Sequence, residues 1–220
     1  MSKLYFRYGA MNCGKSTNLL QVAYNYEERG MKVIIIKPKT DTKGGNKVLS
    51  RLGVTRKVDI LIDQSQNIYE ETKSWIEKNG QIDCILTDES QFFKEEQIDQ
   101  LFKIAVIMDI PTICYGLRTD FQMNGFEGSQ RLLLLAHSLE ELKTICKCGK
   151  KALLNGRKVN GDFIFEGKQI AIDKEDDIEY ESLCPKCYFE FRETYKIRKN
   201  RKKMRWSNGK KYFSWRSSCN

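Results

Sequence analysis

Apolar residues in the first half of the chain fall into two alternating rhythms. Lys3-Leu4-Tyr5-Phe6-Arg7-Tyr8 reads as a short strand, and the run from Lys15 to Arg29 carries Leu19, Leu20, Val22, Ala23 and Tyr26 at helical spacing before it stops at Gly30. The aliphatic run Lys32-Val33-Ile34-Ile35-Ile36 then predicts a buried strand. Strand, helix and strand in that order form a βαβ unit, and a parallel pair needs just such a crossover. The alternation continues with a helix around Ile68 to Lys78, a strand Cys84-Ile85-Leu86-Thr87, a helix from Glu95 to Met108 and a strand Thr112-Ile113-Cys114-Tyr115. An α/β fold follows, with a parallel sheet and helices on both faces. The polar stretch from Lys37 to Leu49, with Gly44-Gly45-Asn46, predicts a mobile hairpin or loop. From Leu132 to Leu139 the spacing is helical, and it carries the only histidine, His137, in a structural rather than a catalytic setting.

After Leu142 the segments shorten, glycines recur at 149, 156, 161 and 167, and cysteines cluster in two pairs. This predicts a satellite with little core of its own. A chain of 220 residues has room for one substantial domain plus such an appendage. No stretch approaches the roughly 18 uninterrupted apolar residues of a membrane span, and Met1-Ser2-Lys3 leads straight into the first strand without a signal-peptide layout, so a cytoplasmic protein is expected.

The net charge of +9 invites a nucleic-acid reading until its distribution is examined. From Arg192 to Asn220 eleven Lys/Arg face one acid, Glu193, so residues 1–191 sum to about −1. The basicity belongs to the tail, which is expected to be a solvated or disordered extension; its mix of cations and aromatics, Trp206 and Tyr212 among them, also suits nucleic acid or an acidic partner.

The first chemical motif is Gly9-Ala10-Met11-Asn12-Cys13-Gly14-Lys15-Ser16, which fits G-x-x-x-x-G-K-[ST] and lies between the first strand and the first helix. Its glycines let main-chain N–H groups turn toward phosphates, and the helix N-terminus adds about half a unit of positive charge. Lys15 is expected to reach the β- and γ-phosphates and Ser16 to ligate Mg²⁺. Asp88-Glu89 follows the Cys84–Thr87 strand, at the sheet end where ligands of open α/β sheets bind. Asp88 suits the Mg²⁺ role. Glu89 either orients an attacking water, as in an ATPase, or accepts a proton from a substrate hydroxyl, as in a kinase. The loose transition state of phosphoryl transfer tolerates a carboxylate of ordinary basicity there.

Cys146-Lys147-Cys148 and Cys184-Pro185-Lys186-Cys187 supply four thiolates, enough for a closed, structural tetrahedral Zn²⁺ site. Cys13, Cys84 and Cys114 read as small buried or loop residues and Cys219 as a tail thiol.

These motifs together, with Thr17, Asp88-Glu89-Ser90-Gln91-Phe92, Tyr115-Gly116-Leu117-Arg118-Thr119-Asp120-Phe121 and Tyr180 ahead of the second cysteine pair, resemble the zinc-containing thymidine kinases. The resemblance implies a P-loop NTPase-like sheet with a small zinc-ribbon and lasso domain. It implies transfer of the ATP γ-phosphoryl group to the 5'-hydroxyl of thymidine, with Glu89 as catalytic base. Residues 9–17 would bind phosphate, and Met11, Phe92, Leu117, Phe121, Phe126 and Tyr180 would hold the nucleoside. A homotetramer and feedback inhibition by thymidine triphosphate (dTTP) are also implied. The family's first cysteine pair is C-x-x-C, whereas this chain has C-x-C. The expected domains are 1–142 for the kinase, 143–191 for the zinc and lasso unit, with lasso contacts around Ile170 to Asp173, and 192–220 for a flexible basic tail. The competing reading is a P-loop ATPase whose zinc ribbon acts on nucleic acid; an N-K-x-D guanine motif, which would favour a GTPase, is absent.

Overall fold

Every side chain of Val33-Ile34-Ile35-Ile36 is buried, so this strand is covered on both faces. The computed structural model, which describes the backbone of residues 1–40, 45–169 and 177–214 and side chains as far as Arg201 outside the same gaps, shows how. In chain order the elements are β1 (Leu4–Gly9), α1 (Lys15–Glu27), β2 (Val33–Pro38), β3 (Lys47–Leu49), β4 (Thr55–Lys57), β5 (Ile60–Ile62), α2 (Ile68–Asn79), β6 (Cys84–Thr87), α3 (Glu95–Ile107), β7 (Thr112–Leu117), α4 (Glu127–Leu135) and β8 (Ser138–Glu141). Six of the strands form one sheet in the order β5-β2-β6-β7-β1-β8, and every pairing in it is parallel.

Alternation within the strands sorts their side chains between two cores. Leu4, Phe6, Ile34, Ile36, Ile85 and Cys114 meet Ile68, Ile98, Leu101, Ile104 and Leu132 from α2, α3 and α4 on one face. Val33, Ile35, Cys84, Leu86, Ile113 and Tyr115 meet Leu19, Leu20 and Ala23 of α1 on the other, together with Val48 and Val58 beside the antiparallel β3–β4 hairpin. Helices thus cover both faces, as the βαβ pattern predicts.

One segment departs from its expected form. The helix read through Leu139 ends at Leu135, because Ala136 turns extended and the chain joins the sheet edge. His137 makes the join: its N–H donates to the Leu4 carbonyl at 2.9 Å and its Nδ1 accepts the Leu4 N–H at 3.0 Å. Sheet pairing of β8 with β1 overrides a helical pattern that the Leu-rich run would otherwise satisfy.

The remaining elements are β9 (Thr144–Ile145), β10 (Lys151–Ala152), β11 (Leu154–Val159), β12 (Asp162–Ile164), β13 (Ile178–Leu183) and α5 (Pro185–Ser214). Strands β9 and β10 form a hairpin, and β12-β11-β13 form an antiparallel sheet. Their core is small: Cys146, Ala152, Phe165, Leu183, Cys184 and Tyr188. Helix α5 lies on it through Phe191, stacked on Phe163 at 4.3 Å, and Tyr188, edge-on to Phe165 at 5.1 Å. The helix runs without a break through position 192, where the sequence suggested a solvated extension. Lys, Arg and Glu are strong helix formers, and a start anchored by aromatics lets them propagate the helix. Among the described residues no helix is long and apolar enough to cross a membrane.

Candidate active site

Strands β6, β7 and β1 are neighbours, so the segments leaving their C-terminal ends lie side by side. These are Asp88-Glu89, Leu117-Arg118 and the loop from Gly9 to Ser16. Glu89, Leu117 and the loop line a cleft of about 550 Å³ whose other wall is β13 with Lys147 and Lys158; Asp88 and Arg118 are not part of that lining.

The loop is held by close packing and by two left-handed residues, Asn12 at φ 64° and Gly14 at its end. A Cβ on Gly9 would sit 2.5 Å from the Leu142 carbonyl oxygen and 2.6 Å from Cys13 Sγ, so no side chain fits there. Gly14, at φ 80°, is the residue from which α1 starts, with no side-chain cap and no acid in the first turn. The orphan N–H groups and positive end of α1 therefore remain available to an anion. Lys15 curls back, its Nζ donating to the Ala10 carbonyl at 3.0 Å. Met11, Asn12, Gly14, Lys15, Ser16 and Thr17 all line the cleft.

Opposite the loop, Asp88 is buried at the end of β6. Glu89 follows in the left-handed region, φ 50°, ψ 40°, which turns its side chain out of the strand direction and into the cleft lining. A non-glycine residue there costs on the order of 1 kcal/mol, a strain of the kind concentrated at functional sites. Gln91 secures it. Its Oε1 accepts the Leu117 N–H at 3.0 Å, which fixes the amide so that Nε2 donates to the Glu89 carboxylate.

Of the residues expected at the nucleoside, Met11, Leu117 and Tyr180 line the same cleft. Phe92, Phe121 and Phe126 are not part of that lining. Phe126 is buried and packs edge-on to Phe92 at 5.6 Å, and Phe121 is buried with the Arg157 guanidinium 3.7 Å over its ring. The lasso stretch around Ile170 to Asp173 lies outside the described residues, as does Cys219.

The four cysteines expected at zinc do converge: their sulfurs all lie within 4.8 Å of one another, Cys148 and Cys184 at 3.5 Å. A tetrahedron of thiolates with Zn–S bonds of about 2.3 Å has sulfur separations of roughly 3.8 Å, so the donor set fits a structural zinc ion despite the C-x-C spacing. The Cys187 N–H lies on Cys184 Sγ and holds that thiol down at about 7, while the thiols of Cys148 and Cys184 push Cys187 up to about 12.

Two residues without any motif also shape the site. Asn155, fully buried on β11, accepts the Met11 N–H at 2.7 Å and donates to the Thr119 carbonyl at 2.9 Å. Arg157, two positions on, bonds the Tyr180 hydroxyl at 2.9 Å. Leu49 at the end of β3 and Arg51 in the turn that follows also reach the cleft; the sequence predicted a hairpin or loop from Lys37 to Leu49 but gave neither residue a place at the site. His137 stays outside it, stacked on Phe102.

Residues 2–188 match the family model described as thymidine kinase. The chain is 47% identical over 191 residues to the thymidine kinase of Francisella tularensis, an alignment covering 84% of this chain and 96% of that one. It is 46% identical over 188 residues to the thymidine kinase of phage T4, covering 84% and 95%. With the thymidine kinase of Shewanella oneidensis it shares 45% over 193 residues, covering 87% and 98%.

Proposed function

Because this chain belongs to the thymidine kinase family, we propose that the cleft holds both substrates of its reaction, with residues 9–17 as the boundary between them. The enzyme transfers the γ-phosphoryl group of ATP to the 5'-hydroxyl of thymidine, giving ADP and thymidine monophosphate. The observation that supports the assignment of roles is that Met11, Lys15 and Ser16 of the loop, Glu89, Leu117 and Tyr180 line one cavity.

In this reading the loop N–H groups and Lys15 hold the β- and γ-phosphates, and Glu89 orients the 5'-hydroxyl and takes its proton late in transfer. Ser16 and Asp88 have the oxygen donors to hold Mg²⁺, which when bound neutralises charge on the phosphates. Thymine lies against Met11, Leu117 and Tyr180. Phe92, Phe121 and Phe126 back that wall. A methyl group in such an apolar notch contributes only about 1–3 kcal/mol, so deoxyuridine is discriminated modestly. The family resemblance adds a cytoplasmic homotetramer inhibited by dTTP, and residues 1–142, 143–191 and 192–220 as kinase, zinc-lasso and tail units.

ADP release from Mg-ATP, measured with and without thymidine, tests the reading. Release should depend on thymidine and match the thymidine monophosphate formed; hydrolysis indifferent to thymidine would point to the ATPase alternative. Glu89→Gln should lower kcat roughly a hundred- to ten-thousand-fold while ATP still binds. Unchanged turnover would remove Glu89 from the mechanism.

A further inference from the structure

Arg157 on β11 faces Tyr180 on β13 across the antiparallel ladder. Its side chain is 2% exposed, an unusual place for a guanidinium, which retains its charge when buried. All three nitrogens are used: Nε donates to the Tyr180 hydroxyl at 2.9 Å, Nη1 to the Lys168 carbonyl at 2.8 Å and Nη2 to the Gln169 carbonyl at 2.7 Å. Its plane covers Phe121 at 3.7 Å and approaches the Tyr180 ring at 5.3 Å. Gln169 is tied to the same neighbourhood, its Nε2 donating to Asp120 at 3.2 Å. One buried cation thus joins β11, β13, the stretch at Lys168-Gln169 and the loop after β7.

The bonding has a directional consequence. A guanidinium carries no acceptor, so in the contact with Nε the Tyr180 oxygen must accept. A phenol that accepts there has its single hydrogen left to give elsewhere, and Tyr180 lines the cleft with Met11, Leu117 and Glu89. A charged donor on the oxygen also polarises the O–H and strengthens the bond it makes.

We propose that Arg157 is a positioning residue for nucleoside binding: by donating to the Tyr180 hydroxyl it turns that group's hydrogen toward an oxygen acceptor on the nucleoside in the cleft. This rests on the nucleoside-kinase reading above. Arg157 acts through Tyr180 and the fixed plane of its fork, whose hydrogen bonds and ring contacts go to Tyr180, Lys168, Gln169 and Phe121.

A double-mutant cycle on the full-length enzyme, with R157M, Y180F and the pair, tests this. Each single variant should raise KM for thymidine roughly tenfold, with KM for ATP within about twofold of the parent, and the pair should be no worse than the worse single. Losses that multiply in the pair would overturn the proposal, because the two residues would then act separately. A parallel rise in KM for ATP would also overturn it, since a merely structural role disturbs both substrates. R157Q takes the place of R157M if the latter does not fold, judged by zinc content and a cooperative melt. Failure of the kinase reading would show in the parent enzyme as absent thymidine phosphorylation, whereas failure of this inference shows only in the cycle.

Discussion

The parallel sheet and the zinc-bearing appendage address the same cleft by different physical means. The sheet side uses main-chain geometry: an uncapped helix start, a glycine that no side chain can replace, and a left-handed Glu89. The appendage uses side chains on β11 and β13: the amide of Asn155, the guanidinium of Arg157 and the phenol of Tyr180. Their support differs as well. Two broad cores flank the sheet, while the appendage's hydrophobic core holds six buried residues, two of them zinc-ligand cysteines. In the proposed assignment the donor phosphates are held by the part of the molecule with the broad cores, and the nucleoside partly by a unit expected to fold with its metal.

Removing the metal is the hardest test of that division. Cys184→Ser deletes one of the four thiolates, and structural zinc supplies on the order of 10 kcal/mol of apparent folding energy to a unit of this kind. Thymidine phosphorylation should be lost along with bound zinc, while a fluorescent ATP analogue still binds the loop with near-parental affinity. Metal analysis, activity and analogue titration on one preparation decide it. A zinc-free variant with full thymidine activity would show that the appendage is not needed to hold the nucleoside.

The same division explains what the sequence disclosed. Main-chain devices leave motifs, since a loop that must turn its N–H groups toward phosphate needs Gly9, Gly14, Lys15 and Ser16 at fixed spacing after a strand. The strand ending in Asp88-Glu89 was legible for the same reason, and so were the paired cysteines. Asn155 and Arg157 are single residues whose roles arise from partners far away in sequence, at Met11, Thr119 and Tyr180, and no local pattern marks them. The C-terminal helix was missed because charged and polar residues dominate its sequence, and the positions that seat it, Tyr188, Phe191 and Tyr195, are too few to stand out as a helical pattern. At Leu132 to Leu139 the pattern itself misled, because an edge pairing with Leu4 decided the outcome.

Asn155 touches both regions and so sharpens their comparison. Asn155→Asp keeps the shape and the acceptor for the Met11 N–H, but sets an oxygen against the Thr119 carbonyl in place of the amide donor. Leaving that pair unsatisfied costs about 1–3 kcal/mol, or roughly ten- to a hundredfold in kcat/KM. Because the amide links the phosphate loop to the segment after β7, KM should rise for ATP and thymidine together, unlike the thymidine-only effect expected of R157M. A rise confined to thymidine would mean that the loop keeps its form without the appendage.

The smallest effect is expected at His137, and it probes the sheet side alone. The imidazole accepts the Leu4 N–H and stacks on Phe102, but it is exposed, so water can replace part of what His137→Ala removes. Loss of one such hydrogen bond in a chain of this length should lower Tm by about 1–3 °C. Both KM values and kcat should stay at parental levels, because β1 is also paired along its length with β7 and the phosphate loop is packed from the other end of the strand. Calorimetry beside steady-state kinetics separates the two quantities. A KM change for ATP in this variant would show that strain at the sheet edge reaches the phosphate loop, and the donor site would then be as dependent on distant side chains as the nucleoside site is.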